Sequence, residues 1–99
     1  MTLFDLLGFA KKANKMVCGM SNCLNAVIKK KAKLVIIAED AGVSRKKLIK
    51  ECELNGVPFI EFGTREQFID RLGYDACYWA VLSEQMADAI QRELIKMKI

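Results

Sequence analysis

The chain contains no histidine, and that absence excludes the most chemistry. Imidazole is the commonest general base, so Ser-His-Asp and Cys-His arrangements are ruled out. A mixed Cys/His zinc site goes with them. Four cysteines stand at positions 18, 23, 52 and 77, and no two have the C-x-x-C spacing of a metal or redox site. They are expected to be reduced thiols in the core of a cytoplasmic protein, since free cysteine is usually buried. No G-x-G-x-x-G or Walker loop occurs to cradle a nucleotide. Apolar runs such as Leu34–Ala38 are far too short to span a bilayer, so no membrane contact is expected. The first residues carry no basic cluster and Asp5 interrupts their apolar stretch, so no secretory signal is expected. Glu39 and Asp40 are adjacent and would point to opposite sides of an extended strand, which does not suit a cooperating acid–base pair. Asp40 reads better as a turn or cap before the third helix.

What remains is a chain of 99 residues, the size of one domain spanning 1–99, and 53% apolar, which argues against disorder. Charge is divided unevenly. Residues 1–50 hold eleven Lys/Arg against three Asp/Glu, for +8, whereas residues 51–99 hold five against nine, for −4. Such a division suggests a basic face and a polyanionic partner, although runs of charge are also common on plainly solvated faces.

Periodicity predicts nine alternating elements. Thr2 suits the N-cap of a first helix ending near Asn14, with Leu3, Leu6, Leu7 and Ala10 as its apolar stripe. Met16–Cys18 reads as a short strand, and Gly19 as the turn into a second helix. There Met20, Leu24, Val27 and Ile28 share one face, and Asn22, Asn25 and Lys29 the other. Ser21 is placed to cap that helix. Leu34–Ala38, rich in β-branched residues, reads as a strand buried on both faces. Ser44 suits the N-cap of a third helix that ends at Asn55-Gly56, with Leu48, Ile49 and Cys52 inward. Strands over Val57–Phe62 and Ala76–Leu82 flank a fourth helix running from Gly63-Thr64 to Leu72. Ser83 caps a last helix reaching about Met97, with Met86, Ile90, Leu94 and Met97 as its stripe. Strands alternating with helices imply a three-layer α/β/α sandwich.

Several blocks carry a resemblance. Leu6-Leu7-Gly8-Phe9-Ala10-Lys11-Lys12-Ala13, Lys31 to Asp40, and Cys52-Glu53 with Val57-Pro58-Phe59-Ile60 together resemble the kink-turn RNA-binding ribosomal proteins of the archaeal and eukaryotic large subunit. The likeness is greatest to the family's small bacterial YlxQ/YbxF-like members and covers essentially the whole chain. It implies a mixed, mainly four-stranded sheet, no cofactor, no catalysis, and an RNA-binding edge. By position, that edge comprises Gly19, Met20, Ser21, Asn22 and Asn25, with Lys29 one turn on. Arg65 matches a basic residue at the start of the fourth helix, and Gly73 and Tyr74 belong to the loop before the last strand. Two positions depart from the family: Asn25 stands where a lysine is usual, and Phe68-Ile69 replaces a Leu-Gly pair. The implied partner is structured RNA, kink-turn-like or ribosomal, bound by a monomer that takes no small-molecule substrate.

Short polar side chains at a helix start, with lysines nearby, suit irregular RNA on physical grounds too. Ser21 and Asn22 could equally be caps, and Lys29–Lys33 a solvated helix end. Trp79 and Tyr78 could stack bases, although a tryptophan inside a strand is more often core. A protein-interaction module that has lost RNA binding is the alternative, favoured by Asn25 and Phe68-Ile69. An enzyme using Cys18 or Cys23, near a helix start and lysines, is a third reading.

Overall fold

The computed structural model describes residues 2–98. Its elements follow the predicted order: α1 (Leu3–Lys12), β1 (Met16–Cys18), α2 (Met20–Ile28), β2 (Leu34–Ile37), α3 (Arg45–Asn55), β3 (Phe59–Glu61), α4 (Arg65–Leu72), β4 (Tyr78–Val81) and α5 (Glu84–Lys98). The strands form one mixed sheet in the order β1-β4-β2-β3. β4 pairs antiparallel with both β1 and β2, while β3 lies parallel to β2. Consequently β1, β2 and β3 all run toward one end of the sheet, and β4 runs back from it.

Alternation along the strands divides the core in two. Leu34, Ile36, Trp79 and Val81 face a cluster with Leu3, Leu7 and Ala10 of α1, Phe68 of α4 and Ile90 of α5. Val35, Ile37 and Ala80 face a second cluster with Cys23 and Val27 of α2 and Leu48 and Cys52 of α3. The α/β/α sandwich therefore has α1, α4 and α5 on one face and α2 and α3 on the other. Leu34–Ile37 is buried on both sides, as its unbroken apolar character predicts.

Local chemistry explains most boundaries, and a few shift. Thr2 and Asp5 close a capping box on α1, which the sequence reading did not anticipate because the N3 residue is aspartate. α1 stops at Lys12, two residues short of the expected Asn14. Asn14 adopts φ +57°, a left-handed conformation that asparagine tolerates, and the Lys15 amide bonds back to Ala10. The two later strands are shorter than the runs Val57–Phe62 and Ala76–Leu82 at both ends. Ser44 precedes α3 but is itself in the right-handed helical region, and its side chain caps nothing. Ser83 does cap α5, accepting from the Met86 amide at 3.3 Å. Ile28 and Met97, expected inward, are 56% exposed. On α2 the buried stripe centres on Cys23, Ala26 and Val27, so Ile28 falls beyond its edge.

A column of aromatic rings holds the α1/α4 side together. Phe68 stacks on Trp79 at 5.4 Å and meets Phe4 edge-on at 5.5 Å; Phe4 leans on Phe62 at 5.0 Å. The Trp79 indole N–H donates to the Ala76 carbonyl at 3.3 Å, so this ring is core and satisfied. Gly63 packs directly against the column. A Cβ there would lie 3.1 Å from Phe4 and 3.3 Å from Phe68, and its φ of +75° already disfavours any side chain. Phe68-Ile69 is thus explained inside the fold: Phe68 is fully buried in the column and Ile69 points outward.

Truncating Phe68→Ala should cost about 3–5 kcal/mol, the usual range for a buried ring, measured as a shift of the urea unfolding curve. The core thiols give a second expectation. Burial pushes the Cys23 thiol up to about 12 and the Cys52 thiol up to about 11. Each stays protonated in the fold while the unfolded chain ionises near pH 8.5, so their contribution is intact below that pH. It should be lost as pH rises from there toward 12, and Cys23→Ala should show a shallower alkaline decline.

Candidate nucleic-acid interface

The end of the sheet where β1, β2 and β3 finish gathers most of the residues singled out from the sequence. Gly19 follows β1 directly with φ +92° and ψ 151°, a backbone open to glycine and strained for other residues. No atom would obstruct a Cβ there, so conformation and not space accounts for the glycine. Its amide donates to the Tyr78 carbonyl at 2.9 Å, fastening the start of α2 to β4. The turn is so tight that Gly19 is itself the N-cap and Ser21 is already the second helical residue. Ser21 therefore does not cap α2, contrary to expectation; no side chain does.

The amides of Met20, Ser21 and Asn22 are consequently without partners among the described residues. No acidic residue occupies the first turn of α2. The other helices differ. Thr2 with Asp5 closes α1, Thr64 with Gln67 closes α4, and Ser83 closes α5. Asp40 additionally accepts from the Arg65 amide at 3.0 Å, so it caps α4 and not the third helix expected from its sequence position. α3 resembles α2 in lacking a side-chain cap and packs beside it. Each follows a strand that ends at this side of the sheet, so the two uncapped N-termini lie at the same end.

The outer face of α2 exposes Ser21, Asn22 and Asn25, as the helical spacing predicts. Asn22 donates from its side-chain amide to the Cys18 carbonyl at 2.9 Å, which fixes the direction of its remaining groups. Met20 is half-buried and packs against the core beneath α2. Lys29 is exposed but stands at the C-cap, about 15 Å along the helix from Gly19 at the usual rise per residue. The structure does not bring it to the N-terminal site. Lys30 takes a left-handed φ of +59°, and the Lys30 and Lys31 amides bond back to Val27 and Ala26, ending α2 abruptly.

Arg65, Gly73 and Tyr74 belong to α4 and the loop that leads into β4, which starts at this end of the sheet. Gly73 ends α4, and Tyr74 lies half-exposed with its ring edge-on to Trp79. Arg65 is not free. Its guanidinium forks onto Asp75, with Nη2 2.6 Å from Oδ2 and Nε on Oδ1. That hydrogen-bonded pair holds the Asp75 carboxyl below the ordinary carboxylate range. Arg45 is likewise consumed internally: it donates to the Ala41 and Glu39 carbonyls and pairs with Glu61 at 2.9 Å, stapling the β2–α3 loop to β3. The unpaired cations at this end are Lys46 and Lys47, in the first turn of α3, which make no salt bridge among the described residues. Sequence reasoning missed them as site candidates. The signal was available in their place immediately after the start of a helix that follows a strand.

Comparison with known proteins bears on the fold and the family. The chain is 30% identical over 86 residues to the RNA-binding protein YlxQ of Bacillus subtilis, covering 86% of each sequence. Among solved structures, a protein of unknown function from Bacillus halodurans C superposes with a TM-score of 0.87 at 24% identity, covering 93% of this chain and 95% of that one. The Giardia lamblia 15.5kD RNA binding protein does so with a TM-score of 0.77 at 22% identity, covering 97% and 84%. At those identities the structural matches establish the shared fold. Residues 1–92 match the family described as ribosomal protein L7Ae/L30e/S12e/Gadd45, and the chain belongs to that family.

Proposed function

We propose that this chain is a non-catalytic, cytoplasmic RNA-binding protein that acts with the ribosome or in translation. As a monomer it grips a structured, kink-turn-like RNA at the sheet end described above. The observation that carries the proposal is the uncapped start of α2: three free amides beside the exposed side chains of Ser21, Asn22 and Asn25. Free amides at a helix N-terminus and the helix dipole attract a phosphate. Ser21 and the anchored Asn22 offer hydrogen-bonding groups to base edges that a kink exposes and a regular A-form groove hides. Lys46 and Lys47 supply phosphate neutralisation from α3. In the loop leading into β4, the half-exposed Tyr74 ring offers a stacking surface. Membership of the family, and relatives named as RNA-binding proteins, support the same reading.

Nothing favours the protein-interaction alternative. It rested on Asn25 and Phe68-Ile69, and of these Phe68 is buried in the core, where its identity is a matter of packing. Membership of the family does not support the enzyme reading. At Cys23 burial raises the thiol to about 12, and a protonated thiol is a poor nucleophile at neutral pH.

The proposal is tested by titrating a kink-turn RNA and a straight duplex at two salt concentrations. Preference for the kink-turn with a steep salt dependence is expected; equal affinity for both would overturn it. Asp75→Asn should release Arg65 toward RNA, tightening binding and steepening the salt slope by about one phosphate contact. An unchanged slope would remove Arg65 from the interface. Asn25→Lys should leave stability nearly unchanged and strengthen kink-turn binding by about 1 kcal/mol. The gain should be larger than for a duplex, and equal gains would show that α2 does not read the irregular site.

A further inference from the structure

A second feature lies beside Tyr74, on the opposite face of the sheet from α2. It is an open groove of about 450 Å³ between α1 and α4. Lys11, Lys12 and Arg71 line it, together with the exposed rings of Phe9 and Tyr74. The Lys11 ammonium sits 4.6 Å above the centre of the Tyr74 ring. One carboxylate, Asp5, is present, but it is already engaged in the α1 capping box and approaches Arg71 only to 4.0 Å. The groove is therefore cationic with two aromatic surfaces.

Gly8 lines the same groove, and it has no structural justification in α1. A glycine inside a helix costs roughly 0.5–1 kcal/mol relative to alanine. Its φ is not positive, and a Cβ would meet only Leu72 Cδ2 at 3.9 Å, an ordinary contact. The fold would accept a side chain here; what the glycine achieves is an unobstructed floor between the cations and the rings.

We infer that this groove binds a single-stranded segment of RNA continuing from the primary site past Tyr74. Bases stack on Phe9 and Tyr74, and phosphates lie along Lys11, Lys12 and Arg71. Stacking platforms interleaved with cations are what sequence-tolerant single-strand binding requires. The strand would reach the groove from the edge at α2 because Tyr74, which lines the groove, lies in the loop leading into β4, whose first residue is bonded to Gly19. The inference rests on that edge binding RNA.

The test uses the full chain and a kink-turn RNA with or without a single-stranded tail of about six nucleotides, placed at each end in turn. One of the two tails should tighten binding roughly tenfold. Gly8→Leu, which fills the floor, should abolish that gain while leaving affinity for the tailless RNA unchanged. Circular dichroism checks its fold. The double variant Phe9→Ser, Lys12→Ala, confined to exposed side chains, should abolish the gain independently. Tails that add nothing, or a gain that survives both variants, would overturn the groove proposal while the α2 reading stands. Absence of binding by tailed and tailless RNA alike would overturn the α2 reading and the groove with it.

Discussion

The fold depends on where β4 goes. Tyr78–Val81 is the last strand in the chain, yet it lies between β1 and β2, bonded to both. Without it, β1 has no strand to pair with and β2 keeps only β3 beside it. Its position also sets the candidate site. The Gly19 amide donates to Tyr78, and the Ala38 amide donates to Cys77 at 2.8 Å, so the ends of β1 and β2 are both tied to the start of β4. A backbone amide buried at a strand end needs a partner, and β4 provides it.

The same end of the sheet divides its polar groups into two sets. One is spent internally. Arg45 braces the β2–α3 loop against Glu61, Asp40 caps α4, and Arg65 locks Asp75 in the loop before β4. These exposed pairs add little stability singly, but they determine loop shape. The other set is left open: the first amides of α2, the side chains of Ser21 and Asn25, and Lys46 and Lys47. An anion arriving there meets backbone donors and lysines that have no competing internal acceptor among the described residues. This contrast between saturated and open helix starts is what distinguishes α2 from α1, α4 and α5.

The alternation of helices and strands, the double-sided burial of Leu34–Ile37 and the exposed stripe Ser21–Asn22–Asn25 were legible in the sequence, because hydrophobic period is a local property. So was the role of Thr2 and Ser83 as caps. Ser21 was misread because capping depends on where the first turn begins, and the left-handed Gly19 starts α2 one residue after β1. Asp40 was assigned to the helix next in sequence, but its acceptor reaches an amide 25 positions away. The family pattern marked Arg65 as available for RNA, whereas its partner Asp75 lies ten residues on.

The sequence by itself determined the order of the elements and most of their inward faces, since these follow from residue spacing within a single helix or strand. Only the tertiary structure decided which polar groups remain free. A donor is free or taken according to what packs against it, and those neighbours come from strands and loops distant in the chain. That is why the departure at Phe68-Ile69, which looks like a change of site in the sequence, is a matter of core packing in the fold. It is also why Gly8, in the sequence only one residue of the N-terminal family block, becomes the open floor of a cationic groove once α4 and Tyr74 are set beside it.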